Sequence, residues 1–158
     1  MSEKDRKAAI KLKNQRYYRA NKGKWAGSPD FKCGVYTLTG FPDGAMYVGV
    51  TANPGKRSRE HQKRFCGTDI SFNLRMTFDA ELPVCDLNVF ENFVIVHSGG
   101  AAKCLNKNNT APVSAASARP VVERALPHMD AEGAALLTAC FEAEPTWAPL
   151  LELLAPAP

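Results

Sequence analysis

Two strand-forming segments, joined by a short turn and followed at once by a helix start, restrict the fold of this chain more than any other feature. Residues 35–39 and 46–51 are rich in Val, Thr and Tyr, which favour extended backbone. Between them, the segment Gly40-Phe41-Pro42-Asp43-Gly44 combines a proline that pre-sets φ with glycines that accept positive φ. We therefore predict a β-hairpin over residues 33–50.

A helix is predicted to begin directly after this hairpin. Asn53 is a favourable N-cap, Pro54 suits the first helical position, and Gly67 provides a stop. Arg57 and His61 are four residues apart on this helix. Their side chains should therefore share one helix face, about one turn apart.

The remaining segments complete a predicted α/β (α+β) fold class, with a small three-stranded, mainly antiparallel sheet flanked by helices. Residues 70–78 are predicted as a second short helix. Residues 88–97 are rich in Val, Ile and Phe and are predicted as the third strand. Two further helices are expected, one opened by Pro120 and one over residues 131–143.

Composition and length suggest how the chain is organised. With 158 residues, one domain with short appendages is expected. We divide it into a basic N-terminal arm (residues 1–30), a central domain (31–128) and an Ala/Pro-rich helical C-terminal extension (129–158). The charged start of the chain does not resemble a secretory signal, and five scattered cysteines form no C-x-x-C pair. We therefore expect a reduced, cytoplasmic protein without a membrane span.

Two tyrosine-containing triplets carry the strongest functional signal. They are Gly34-Val35-Tyr36 and Tyr47-Val48-Gly49; the two tyrosines are eleven positions apart, and Arg57 follows Tyr47 by ten positions. This order of strand, turn, strand and helix resembles the GIY-YIG nuclease superfamily, in which the two triplets lie on the first two strands and the Arg and His on the next helix. The resemblance covers residues 33–61.

The resemblance implies a phosphodiester hydrolase, and the residue types suit that chemistry. Tyr36 would act as the base and Tyr47 would position water or phosphate. Arg57 would bind the scissile phosphate with a permanently charged, forked donor, and His61 would assist proton transfer. Some relatives use a lysine between the two tyrosines to lower the tyrosine pKa. None is present here, which makes His61 the better candidate for that task.

The family also requires a glutamate that holds one divalent metal ion. Glu123 is preferred because it lies in a predicted helix after the predicted third strand, although a long insertion precedes it. Glu91 is the alternative, and Asn106, fifteen residues later, fits a family pattern. Asn106 or Asn109 would provide the late asparagine of the family. One carboxylate with water and substrate oxygens suits Mg²⁺ or Mn²⁺.

The basic arm points to a polyanionic partner. Residues 1–24 hold nine Lys or Arg against two acidic residues, a local charge of +7, whereas the whole chain carries +4 and the remainder therefore −3. Cations interleaved with aromatic residues suit phosphate contacts and base stacking, although a solubilising or packed tail is the alternative. The predicted DNA-binding residues are Arg16, Tyr17, Tyr18, Arg19, Lys22 and Lys24 of the arm, with Lys63 and Arg64 of the first long helix.

The partner is accordingly expected to be double-stranded DNA, and a homodimer is left open as the arrangement that would cut both strands. A second hypothesis is a catalytically degenerate GIY-YIG-like module that binds DNA without cutting it. The uncertain position of the glutamate is the main support for this alternative.

Overall fold

A three-stranded antiparallel sheet organises the chain in the computed structural model, which describes residues 2–9 and 31–154. The central strand β1 (Cys33–Thr39) pairs with β2 (Tyr47–Thr51) on one side and β3 (Ser71–Phe78) on the other. The predicted fold class, a small antiparallel sheet flanked by helices, is confirmed. A short exposed helix, α1, covers residues 3–9, and the rest of the predicted arm, residues 10–30, lies outside the described residues.

The hairpin and the helix after it are formed as predicted from their local signals. Helix α2 (Pro54–Arg64) begins with the Asn53 Oδ1 accepting a hydrogen bond from the Lys56 amide at 3.0 Å. In addition, the Thr51 Oγ1 accepts from the Asn53 amide at 3.0 Å, which ties the end of β2 to the helix start. The helix that carries Arg57 and His61 is therefore fixed relative to the hairpin.

The two elements that follow are exchanged relative to the prediction. Residues 71–78 form β3 rather than a helix, and the predicted third strand at residues 88–97 lies within helix α3 (Val84–His97). The prediction was wrong because α3 is buried over most of its surface. The periodicity of its buried apolar residues does not distinguish a buried helix from a buried strand; they are Leu87, Phe90, Phe93, Val94 and Ile95.

A β-bulge in β3 divides that strand between two tasks. Val35 pairs with Met76 and Tyr36 pairs with Leu74, so that Arg75 has no partner of its own on β1. Because cross-strand partners face the same side of a sheet, Phe72 and Leu74 share the face of Tyr36. Beyond the bulge, Met76 faces the main core with Val35. One strand thus supports both the face that carries the tyrosines and the opposite, fully buried face.

The C-terminal region packs into the same core as the central domain. Helix α4 (Ala115–Ala125) begins at the Ser114 N-cap, so Pro120 lies inside it rather than opening it, and α5 (Ala131–Ala143) has the predicted bounds. A 3-10 segment, Pro145–Leu154, follows. Its Trp147 is fully buried between Phe93 and Phe141, and the indole N–H donates to the Val113 carbonyl at 2.8 Å. No helix within the described residues is long and apolar enough to cross a membrane.

Candidate active site

Tyr36 is the centre of a cluster of side chains drawn from three elements. It lies in the middle of β1 with only 4% of its surface exposed. Its ring stacks on Phe72 of β3 with centroids 4.8 Å apart, and it lies 5.3 Å from the imidazole of His61 on α2. The Tyr47 ring of β2 is 6.4 Å away. The two motif tyrosines and the motif histidine are therefore neighbours, as the resemblance implies, whereas Phe72 was not anticipated because its strand was predicted as a helix.

The motif glycines are required by close packing of this cluster. A Cβ atom at Gly49 would overlap the ring carbons and the Oη of Tyr36. At Gly34, a Cβ would lie 2.5 Å from the backbone oxygen of Met76, next to the bulge. Both positions therefore need glycine for space, since neither backbone has the positive φ that would favour glycine on conformational grounds.

His61 is held in a neutral form against Tyr36. It is 8% exposed, and its Nε2 lies 3.4 Å from the Tyr36 Oη, a long hydrogen-bond contact. Burial, followed by the nearby charges of Arg57 and Arg64, lowers the pKa of His61 below its usual 6.5. The imidazole is thus a proton acceptor at neutral pH. Its Nδ1 is buried and has no hydrogen-bond partner within the described residues.

Arg57 brings a cation to the same place. Its side chain is partly exposed, and its Nη1 donates to the Glu60 Oε2 at 3.3 Å. The charge of Arg57 lowers the pKa of both Tyr36 and His61, so it acts on both groups. A phosphate arriving here would find a guanidinium beside the phenol and the imidazole.

Tyr36 itself is a neutral phenol at neutral pH. Burial and the neighbouring Tyr47 raise the pKa of Tyr36 to about 12, and the opposing effect of Arg57 does not compensate. The structure therefore provides no preformed phenolate.

Glu91 lies on α3, not on a strand, and its charge also acts on Tyr36. It contributes to the raised pKa of Tyr36, which places the two groups within electrostatic range. Burial raises the pKa of Glu91, and a hydrogen bond from Asn109 partly opposes that effect. Residues 88–97, which contain Glu91, were predicted as a strand, and that prediction is wrong because they lie in α3.

Glu123 lies on a different helix from Glu91. It is exposed on α4, which packs against α3 and the C-terminal 3-10 segments. The acidic side chains that influence Tyr36 are Glu91 and Glu60. Helix α3, which carries Glu91, contacts both β1 and β2, the strands of the two tyrosines.

Three asparagines attach residues 106–113 to β2 and α3. Asn106 forms a two-point pair with the outer edge of β2, accepting from the Val48 amide at 3.0 Å and donating to the Val48 carbonyl at 2.7 Å. Asn109 donates to the Glu91 Oε1 at 3.3 Å. Asn92, fully buried on α3, donates to the Asn109 carbonyl at 2.8 Å. Asn92 was not identified from sequence, although a polar residue inside an apolar run is the signal that could have found it.

A hard divalent cation fits the residues present at Glu91. Within residues 2–9 and 31–154, no group of three His, Cys, Asp or Glu side chains could hold a metal ion. The expected site, however, needs only one carboxylate with water and substrate oxygens. Glu91 supplies such a carboxylate: Oε1 is oriented by Asn109, and Oε2 accepts no hydrogen bond from the described side chains or backbone.

Two of the eight predicted DNA-binding residues lie within the described residues. Arg16, Tyr17, Tyr18, Arg19, Lys22 and Lys24 lie outside the described residues. Lys63 and Arg64 are exposed on the last turn of α2. The guanidinium carbon of Arg64 lies 5.2 Å from the centre of the Phe65 ring. These two cations extend the positive surface from Arg57 along one helix.

Comparison of the chain with protein families, with curated proteins and with solved structures finds no match. The functional assignment therefore depends on the residues and their geometry.

Proposed function

We propose that this protein is a metal-dependent DNA endonuclease that hydrolyses phosphodiester bonds through a GIY-YIG-like active site. The observation that carries the proposal is the convergence on Tyr36: the Oη of Tyr36 lies 3.4 Å from the His61 Nε2, and the charges of Arg57 and Glu91 both act on the phenol. This set combines a proton relay, a phosphate-binding cation and a carboxylate.

In the proposed mechanism, Tyr36 and His61 act together as the base. With the proton of neutral His61 on Nδ1, the Tyr36 hydroxyl donates to Nε2. Attack by water then transfers a water proton to the Tyr36 Oη while the phenolic proton moves to Nε2, so no free phenolate forms. This relay is consistent with a phenol whose pKa is about 12 beside an imidazole that is neutral at pH 7.

The remaining residues stabilise charge and geometry. Arg57 neutralises the scissile phosphate as negative charge develops on it, and Tyr47 orients the water or a phosphate oxygen. Glu91 replaces Glu123 as the proposed metal ligand and would hold Mg²⁺ or Mn²⁺. Such an ion supplies positive charge for the leaving oxygen. We further propose a cytoplasmic enzyme acting on double-stranded DNA, with a homodimer as the form that would cut both strands.

A plasmid nicking assay with Mg²⁺ or Mn²⁺ tests this proposal. We expect Tyr36→Phe, Arg57→Ala and Glu91→Gln each to lower the rate by at least about 100-fold, the usual effect of removing a base or a charge-stabilising group. The matched controls are Lys56→Ala, exposed on the same helix, and Glu123→Gln on α4, which should cut like the wild type. Loss of activity in Glu123→Gln with full activity in Glu91→Gln would reverse the metal-ligand assignment.

A second function, a degenerate DNA-binding module, is favoured by one observation: the raised pKa of Tyr36 is the opposite of what a phenolate base requires. This alternative predicts DNA binding that persists in a chelator, with no cleavage under any divalent ion. DNA binding combined with metal-dependent cutting by the wild type would exclude it.

A further inference from the structure

The side chain of Asn109 is fixed from two sides, and one of its contacts is the carboxylate of Glu91. Its Nδ2 donates to the Asn88 carbonyl at 2.8 Å and to the Glu91 Oε1 at 3.3 Å. Its Oδ1 accepts from the Nδ2 of the fully buried Asn92 at 3.1 Å. Because Asn92 can only donate through Nδ2, the Asn109 amide must present its own N–H groups to Glu91.

The backbone of Asn109 is also in an unusual conformation. Its φ is +63°, the only positive φ of a non-glycine residue within the described part of the chain. Such a conformation is sparsely populated by residues other than glycine, although asparagine tolerates it best. The surrounding hydrogen bonds to Asn92 and Asn88 hold the residue there, which turns the side chain back onto α3.

The loop that carries Asn109 is anchored at both ends to elements of the site. On one side, Asn106 is paired with Val48 of β2. On the other side, Asn92 accepts from the Val113 amide at 3.0 Å and donates to the Ala111 carbonyl at 2.8 Å. The loop that carries the Asn109 side-chain amide is therefore held in place by hydrogen bonds to β2 and to α3.

From this geometry we infer that Asn109 is a positioning residue that orients the Glu91 carboxylate for binding a divalent cation. The inference depends on the proposed function, in which Glu91 is the metal ligand. Asn109 occupies one carboxylate oxygen with a neutral donor and leaves the other for the cation. Groups that hold a metal ligand in place typically contribute about 10- to 100-fold to metal affinity.

The test is a titration of Mn²⁺ into the ¹⁵N-labelled full chain without DNA, with the dissociation constant obtained from paramagnetic broadening of amide signals in α3. The informative variant is Asn109→Gly, because glycine accepts the positive φ without strain and removes only the side-chain amide. We expect its affinity for Mn²⁺ to fall about 10-fold. Asn108→Gly is the matched control, since Asn108 is exposed, makes no hydrogen bond within the described residues and adds the same glycine to the same loop; it should bind Mn²⁺ like the wild type.

Further measurements separate this inference from the proposed function. In nicking assays, Asn109→Gly should raise the half-saturating Mg²⁺ concentration while keeping most of kcat at saturating Mg²⁺, which a loss of folding would not produce. Wild-type affinity for Mn²⁺ in Asn109→Gly would overturn the role of Asn109. Wild-type affinity in Glu91→Gln would instead remove Glu91 as the ligand, and with it the metal site of the proposed function.

A final measurement needs no change at position 109. In the Glu91→Ala variant, the side-chain amide signals of Asn109 should shift because one of their acceptors is lost. Unchanged signals would contradict the contact, even if Asn109→Gly proved poorly folded.

Discussion

The ring of Tyr36 occupies the space that a Cβ atom at position 49 would need. The two residues face each other directly across the hairpin, where Tyr36 of β1 pairs with Gly49 of β2. The first triplet therefore supplies the phenol ring, and the glycine of the second triplet leaves space for it. This dependence gives a physical reason for a tyrosine and a glycine at these positions.

We predict that Gly49→Ala displaces the Tyr36 ring. Overpacking of a well-packed site usually costs about 1–3 kcal/mol of stability, and we expect the cleavage rate to fall about 100-fold because the reacting groups move apart. A double-mutant cycle with Tyr36→Leu, followed by chemical denaturation, isolates the cause. If Gly49→Ala costs as much stability in the Tyr36→Leu background as in the wild type, the steric explanation is incorrect.

The pH dependence of cleavage should follow the protonation of His61. The relay needs a neutral imidazole, and burial with the charges of Arg57 and Arg64 lowers the pKa of His61. The rate should therefore be constant at neutral pH and fall only as the pH drops through a value below 6.5. We would measure kcat/KM from pH 5 to 8 at saturating Mn²⁺, in the wild type and in His61→Gln.

In His61→Gln, we expect a rate about 100-fold lower. Because this variant has no imidazole at position 61, the decline in rate that His61 protonation causes between pH 8 and pH 5 should be absent. An acid limb centred above 6.5 in the wild type, or the same limb in His61→Gln, would show that another group controls the rate.

The parts of this site that could be predicted from sequence are those with short-range signals. The turn chemistry of residues 40–44 and the Asn53-Pro54 cap fixed the hairpin and α2, and with them Tyr36, Tyr47, Arg57 and His61. The proposed metal ligand, Glu91, could not be predicted in the same way. Its helix, α3, is buried by α5 and the 3-10 segment that follow much later in the chain, and such tertiary burial removes the polar stripe by which a surface helix is recognised.

The error in β3 has a related cause. Apolar residues at positions 72, 74, 76 and 78 alternate as in a strand, but the same positions with their neighbours also suit a short helix. The bulge at Arg75 places Phe72 and Leu74 on one face of the sheet and Met76 and Phe78 on the other. Hydrophobic periodicity alone cannot predict such a change of face. The preference for Glu123 over Glu91 depended on the predicted strand at residues 88–97, which lie in helix α3.

Glu91→Gln should stabilise the metal-free protein while abolishing its metal site. Burial raises the pKa of Glu91, so the folded state binds more protons than the unfolded state between the unfolded and folded pKa values. The wild type therefore loses stability as the pH rises through the folded pKa of Glu91, and glutamine avoids this loss. In a chelator at pH 7, we expect Tm to increase by about 1–2 °C, a fraction of the roughly 2–4 °C that 1 kcal/mol produces in a domain of this size.

Thermal melts at pH 7 and pH 4 check this prediction, with Glu123→Gln as the exposed control. The advantage of Glu91→Gln should vanish at pH 4, where the Glu91 carboxyl is protonated in the wild type. A variant that melts below the wild type at pH 7 would show that Glu91 contributes structural contacts that glutamine cannot replace.

Deleting residues 1–24 should weaken DNA binding and flatten its dependence on salt. The segment carries a local charge of +7, and each phosphate contact that is lost lowers the slope of log K against log salt by about 0.9. Fluorescence anisotropy with a labelled duplex between 50 and 200 mM salt measures both effects. The same affinity across the salt range, compared with the full chain, would assign the arm to a role other than DNA binding.

The burial of Trp147 has a consequence for the order in which the protein becomes functional during synthesis. Phe93, on the inner side of α3, packs against Phe141 and Trp147. The indole N–H of Trp147 donates to the Val113 carbonyl, and the Val113 amide donates to the Asn92 side chain on α3. On the ribosome, the hairpin and α2 emerge long before these residues do. Val35 and Val48 of the hairpin share one buried core with Phe93 and Trp147, and an isolated two-stranded hairpin is only marginally stable in water. The last described segment of the chain therefore completes the core on which both the tyrosines and the Glu91 carboxylate depend.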